Sequence, residues 1–151
     1  MSPSASHRAT DRPAVVDAIG VQLAHLVASA RALTIEAAHR FDPELPPAAF
    51  PIARWLLAFG PSRTNDIANG VAMDRSAVSR LIDQLRSAHL VSIAAHPTDG
   101  RANSVRLTPA GRRHVTRALH WKGGVFHDRL ATWNERDLET LARLLTKLNE
   151  P

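Results

Sequence analysis

Residues 64–111 constrain this chain more tightly than any other stretch, because helix and strand signals follow one another there at short intervals. In Arg75-Ser76-Ala77-Val78-Ser79-Arg80-Leu81-Ile82-Asp83-Gln84-Leu85, the apolar residues Val78, Leu81, Ile82 and Leu85 recur at helical spacing and form one stripe. At about 100° per residue, Ser76, Ser79, Arg80, Asp83, Gln84 and Ser87 then fall on the flank and far side of the helix. Asp74 is placed to cap it. Upstream, Thr64 is expected to cap a shorter helix, with Asp66 in the first turn where the helix dipole favours an anion. Ile67, Ala68 and Val71 give that helix its apolar side, and Gly70 is the expected turn residue, free to take positive φ. Two capped helices around a short turn make a helix-turn-helix.

The residues that follow narrow the fold further. Leu90-Val91-Ser92-Ile93-Ala94 alternates as a strand does, 96–102 are dense in turn residues, and Asn103-Ser104-Val105-Arg106-Leu107 alternates again. Two strands around a charged tip form a wing. Thr108-Pro109 opens another helix, with Thr as N-cap and Pro at the first helical position. The expected fold class is mainly α with a small β wing, a winged helix-turn-helix flanked by N- and C-terminal dimerisation helices.

The segment resembles the MarR family of transcriptional regulators, named for multiple antibiotic resistance. The residues that carry the resemblance are Thr64-x-x-Ile67-Ala68, Ser76-x-Val78-Ser79-Arg80-x-Ile82-x-x-Leu85 and Leu90-Val91. They continue with Asp99-x-Arg101-x4-Arg106-Leu107-Thr108-x-x-Gly111, the most specific run. Two positions depart from the family pattern. His89 stands where Gly usually precedes the Leu-Val pair, at a position that favours a left-handed C-cap. Gly100 replaces a basic residue common at the wing tip, which implies a weaker grip on DNA there.

Charge is distributed to match. The net charge is +5, and 62–113 hold eight arginines (63, 75, 80, 86, 101, 106, 112 and 113) against four aspartates, a surplus of four. None of these cations is lysine, which suits planar, bidentate contact with phosphates or guanine edges. A basic stripe on a winged helix-turn-helix points to nucleic acid. The chain has no cysteine, so disulfides, thiolate metal sites and cysteine-based peroxide sensing are excluded. No run of eighteen apolar residues and no signal-peptide pattern is present, so neither a membrane span nor export is expected, and the location is expected to be cytoplasmic.

Taken in order, residues 1–12 are rich in Ser, Ala, Thr and Pro and are expected to be a disordered tail. A helix is expected from Pro13 to Phe41, then a second ending near Phe59 with Pro51 in its first turn. After the wing, a helix should run from Thr108 to about Trp133, where Gly123-Gly124 predict a bend or a close helix contact. Asn134-Glu135-Arg136-Asp137 resembles a capping box, and Leu138, Leu141, Leu145 and Leu148 form a near-heptad seam. Residues 13–42 and 114–151 thus read as a helical dimerisation region and 43–113 as the DNA-binding domain. The apolar surplus at both ends is what a homodimer would bury, and the resemblance implies that arrangement.

These readings assign roles to particular residues. Ser76, Ser79 and Arg80 are expected at base edges and nearby phosphates, with Arg80 the best candidate for a bidentate guanine contact. Arg75, Thr64 and Asn65 are candidate phosphate contacts. Arg101 is expected in a minor groove, oriented by Asp99, while Arg106, Arg112 and Arg113 read equally as phosphate contacts or plain surface charge. Two recognition helices related by a two-fold axis should read an inverted repeat with half-sites about 34 Å apart. The resemblance implies a small aromatic or phenolic acid effector, for which His39, Arg54, Trp55 and Phe59 are the candidates, and a repressor rather than an activator. No cofactor, resident metal or catalytic motif is expected: His114, His120 and His127 share a helix without metal-ligand spacing. The competing reading is a winged-helix protein that coats DNA without sequence preference or binds protein partners.

Overall fold

The computed structural model describes residues 11–95 and 103–150. Eight elements follow in order: α1 (Arg12–Phe41), α2 (Ala49–Phe59), α3 (Thr64–Gly70), α4 (Arg75–Ser87), β1 (Val91–Ala95), β2 (Asn103–Leu107), α5 (Pro109–Leu130) and α6 (Glu135–Asn149). The chain divides into two compact units, Met1–Thr34 and Ile35–Pro151. The expected mainly α fold with a small two-stranded antiparallel wing is the one observed.

The first unit holds most of α1. The helix starts at Arg12, so that residue belongs to the helix rather than to the expected tail. Val15 N–H donates to Asp11 O at 3.1 Å, which makes Pro13 a first-turn residue whose missing N–H costs nothing. Val15, Val16, Ile19, Val21, Leu26 and Val27 are all exposed on this segment. By length and composition alone α1 is long and apolar enough to cross a membrane. The reason is that few charges, Asp17 and Arg31 among them, interrupt its apolar residues.

The second unit has one core. The end of α1 contributes Ala37, Ala38 and Phe41, and α2 contributes Ala49, Phe50, Ile52, Ala53 and Leu56. Phe41 and Phe50 lie 5.6 Å apart between ring centroids, a favourable tilted pair. Pro51 sits in the first turn of α2, as its missing donor requires. Ile67 and Ala68 of α3 and Val78, Leu81, Ile82 and Leu85 of α4 complete the floor, with Leu90, Val91, Val105, Val115 and Ala118 closing it. The apolar stripe of α4 is therefore buried at all four expected positions.

Two local expectations at the first helix of the pair are corrected. Thr64 is not the cap of α3: Arg63 is the extended residue there, and no side chain caps the helix. Thr64 already has helical backbone, one position too late for its hydroxyl to serve the orphan amides. Nor does Gly70 take positive φ. That conformation belongs to Ala72, with φ 53°. Gly70 is required for space, because a β-carbon on it would fall inside the Trp55 ring.

The end of α4 follows the expectation raised by His89. Its φ is 58°, and it directly follows the C-cap Ala88. Leu90 N–H donates to Leu85 O and His89 N–H to Arg86 O, both at 2.9 Å. These are the two bonds of a Schellman motif, which satisfies the last carbonyls of the helix.

The wing pairs β1 and β2 antiparallel, from Val91 opposite Leu107 to Ala95 opposite Asn103. Its tip, 96–102, lies outside the described residues, as do Asp99 and Arg101. A further pairing, on the other edge of β2, was not legible in the sequence. Ser62 pairs with Val105 through N–H to O bonds of 3.0 and 2.9 Å in the two directions. Thr108 caps α5 as expected, its hydroxyl accepting from Gly111 N–H at 3.0 Å.

α5 ends at Leu130, short of Trp133, and continues through Gly123-Gly124. Added β-carbons on both glycines would meet no atom within 4 Å among the described residues, so no helix of this chain that is described there packs closely on them. Asn134 caps α6 by accepting from Asp137 N–H at 2.9 Å, as expected. No residue of α6 is buried, and Leu144, Leu148 and, on neighbouring positions, Phe126 and Trp133 are exposed.

The left-handed conformation of His89 gives a direct stability test. His89→Gly should raise the unfolding free energy by about 0.5–1 kcal/mol, and His89→Val should lower it by about 1–2 kcal/mol. Denaturant titration of the two variants measures both.

Candidate nucleic-acid interface

The outer face of α4 is built by what its other face buries. With Val78, Leu81, Ile82 and Leu85 anchored, Arg75, Ser76, Ser79, Arg80, Asp83, Gln84, Arg86 and Ser87 are all exposed. Asp74 fixes the start of the helix. Its Oδ1 accepts from Ser76 N–H at 2.7 Å, Ala77 N–H at 3.2 Å and the Ser76 hydroxyl at 2.5 Å. The Ser76 hydroxyl, then the two amides, hold the Asp74 carboxyl below the usual aspartate range.

The remaining polar groups differ in how far they are already engaged. Arg86 pairs with Asp83 at 3.0 Å, and the Ser87 hydroxyl donates to Asp83 O at 3.0 Å. Asp83 is thus turned toward the end of α4, and Arg80 forms no ion pair with it. Among the described residues neither Arg80 nor the Ser79 hydroxyl has a hydrogen-bond partner. Both are open to an external molecule. Asn65 is exposed and Thr64 half-buried at the start of α3, which packs on α4. Arg106 lies on the wing opposite Ser92 and donates from Nε to its hydroxyl at 3.2 Å. Of the nine candidate DNA contacts, Asp99 and Arg101 fall outside the described residues.

Three of the four effector candidates come together. Arg54, Trp55 and Phe59 line an open groove of about 270 Å³ with Pro51, Ala58, Gly70 and Val71. The Trp55 and Phe59 rings lie 4.1 Å apart between centroids, and Phe59 is 66 % exposed. Trp55 Nε1–H donates to the Ser62 hydroxyl at 3.3 Å, which in turn donates to Gly60 O at 3.0 Å. Burial first, and then the charge of Arg54, push Lys122 below the usual lysine range. His39 is exposed on α1 and does not line this groove.

Two features were missed in the sequence. One is the part played by Asp74 in orienting Ser76, beyond capping. The other is a second basic groove, lined by Pro109, Arg112, Arg113, Thr116, Arg117 and His120 on α5. The i, i+4 spacing of Arg113 and Arg117 was the available signal for it. His114 points elsewhere, with Nδ1 2.9 Å from Phe41 O, and Arg40 lies 4.2 Å over the Trp121 ring.

Comparison with known proteins places this geometry. Residues 44–102 match the model of the MarR family. The chain is 23% identical over 120 residues to the uncharacterized HTH-type transcriptional regulator YxaD of Bacillus subtilis (strain 168), covering 80% of this chain and 84% of that one. Its fold is similar to that of RV1404 from Mycobacterium tuberculosis, with TM-score 0.77 and 23% identity over 88% of this chain and 91% of the other. A MarR family protein from Bacillus stearothermophilus is similar at TM-score 0.76 and 18% identity, over 90% and 94% of the two chains.

The lowered pKa of Asp74 fixes the sign of a pH effect. Its bonds stabilise the fold above the ordinary value of 3.8 and are lost as pH falls through the lower folded value. Asp74→Asn, which caps without titrating, should melt below the wild type at neutral pH. The gap should narrow as pH drops below 3.8, as thermal melts across the acid range will register.

Proposed function

We propose that this chain, which belongs to the MarR family of transcriptional regulators, works as a homodimer that reads an inverted-repeat operator and represses transcription. The observation that carries this reading is the outer face of α4, a capped helix on which Ser79 and Arg80 are exposed and, among the described residues, make no hydrogen bond, Arg80 acting on Asp74 by its charge alone. Arg80 is the residue best suited to a bidentate contact with guanine O6 and N7. Ser76, Ser79 and Arg75 sit on the same exposed face, Thr64 and Asn65 flank it for phosphate contact, and Arg106 serves the backbone from the wing. Asp99 and Arg101, outside the described residues, keep the roles proposed for them from the sequence.

Exposed apolar side chains support the dimer. α1 presents Val15, Val16, Ile19, Leu26 and Val27, and α6 presents Leu144 and Leu148 while burying nothing. Faces of that size on a monomer mark an interaction surface. A dimer would set the two recognition helices about 34 Å apart, one turn of duplex. The work is then DNA binding rather than catalysis, in the cytoplasm where the operator lies.

The groove of Arg54, Trp55 and Phe59 supports release by a small aromatic acid. Two adjacent, tilted rings offer an aromatic contact, Arg54 a positive charge, and Gly70 and Val71 connect the groove to the turn of the helix-turn-helix. His39 is not needed for it. If this is the effector site, aromatic carboxylates should weaken operator binding by the wild type, and Phe59→Ala with Arg54→Ala should abolish that response while leaving operator affinity intact.

Selection from random duplex DNA tests the main reading. A two-fold symmetric motif should emerge, preferred over random DNA by about 10³-fold or more. Arg80→Ala should relax one base preference per half-site by about 1–3 kcal/mol. Sequence-indifferent, salt-sensitive binding would instead establish a DNA-coating protein.

A further inference from the structure

Trp55 touches both ends of α3 from one position on α2. Its six-membered ring fills the space that a side chain on Gly70, the last residue of α3, would take. Its Nε1–H donates at 3.3 Å to the hydroxyl of Ser62, just before α3 begins. The Ser62 hydroxyl proton goes to Gly60 O at 3.0 Å, so the oxygen faces the indole as an acceptor. Ser62 is itself buried, and its backbone pairs with Val105 of β2. One half-buried indole thus braces the entry of α3, its exit and, through Ser62, the wing.

The same ring is a wall of the open groove that Arg54 and Phe59 share. Phe59, one turn further along α2, lies 4.1 Å from it between centroids and is exposed. An aromatic group entering beside Phe59 competes for the position the indole holds. Behind the ring stands the backbone of Gly70, on a helix anchored in the core by Ile67 and Ala68. The indole is kept in place by packing and by one long hydrogen bond, which is weak at that length. A ligand need supply little differential affinity to unseat it.

We infer that Trp55 is a positioning residue: seated, its indole holds α3 and with it α4 in the DNA-reading arrangement, and an aromatic group that takes its place releases both. This rests on the groove being the effector site and on α4 reading DNA. Trp55 itself acts through Ser62 and Gly70. The effect reaches α4 because α3 packs on it and only residues 71–74 separate the two helices.

Ser62→Ala isolates the coupling, because Ser62 does not line the groove and the change removes only the indole's acceptor. On the duplex selected for the wild type, its affinity should fall by about three- to tenfold. Benzoate, a plain aromatic carboxylate, should bind the free variant as it binds the wild type. It should then lower operator affinity by a smaller factor, since the bond it breaks is already gone. By linkage, the operator should also expel benzoate less from the variant than from the wild type. Trp55→Phe keeps a ring and loses the N–H, so adding Ser62→Ala to it should cost nothing further. Gly70→Ala, which fills the indole's seat, should bind the operator weakly and ignore benzoate. Thermal melts establish which variants are folded, and should Gly70→Ala not fold, the Ser62 and Trp55 variants decide alone. If the folded variants bind the operator as the wild type does, or if the Ser62 and Trp55 effects add, this inference fails. The groove then remains the effector site provided benzoate still releases the wild type. If benzoate leaves the wild type on its operator while the variants weaken binding without adding, the effector reading fails and Trp55 stands as a brace alone. If no duplex is selected, the operator reading and this inference fall together.

Discussion

The structure depends on how the last turn of α4 is held to the first turn of α5. His89 turns left-handed, the Schellman bonds close on Leu85 and Arg86, and the freed carbonyls of His89 and Leu90 meet Thr108. The Thr108 hydroxyl donates to His89 O at 2.8 Å and lies 3.2 Å from Leu90 O, while also accepting from Gly111 N–H. One side chain thereby ends α4, closes the wing and starts α5. Gly111 is obligatory there because a β-carbon would collide with Leu90 O. The family-like run Leu107-Thr108-x-x-Gly111 is the sequence trace of that junction.

What the sequence disclosed follows the range of the interactions. Caps by Asp74, Thr108 and Asn134, the Val78-Leu81-Ile82-Leu85 stripe and the strand pairing are set within a few residues, so local chemistry reveals them. The Ser62–Val105 rung and the Trp55–Gly70 contact join segments that only tertiary packing brings together. Gly70 shows why the difference matters. A glycine at a turn invites a conformational explanation, yet positive φ fell on Ala72, and Gly70 is there to admit an aromatic ring. The same limit separated His39 from the groove that Arg54, Trp55 and Phe59 share, because helical spacing alone does not say which neighbours a helix face meets.

The interface is legible in composition but not in its polarity. Arginine enrichment over 62–113 marks where DNA would lie. It does not reveal that Arg86 is engaged with Asp83, that Arg106 is braced by Ser92, or that Arg80 is left open. Those distinctions come from which acceptors the fold uses internally. Asp83 is used twice at the end of α4 and Asp74 three times at its start, so each aspartate removes or redirects a group that counting alone treats as available.

The Ser62–Val105 rung also bears on how the domain assembles. Its two backbone bonds close a loop that contains α3, α4 and β1, so the helix-turn-helix is spliced into the sheet at both ends. Such a closure carries an entropic cost that rises slowly with loop length and is offset only once the enclosed helices have docked. Opening β2 at Val105 therefore also releases the segment that leads into α3. The closed loop thereby couples α3, α4 and the wing, so their amide protons are expected to exchange in step rather than from one end.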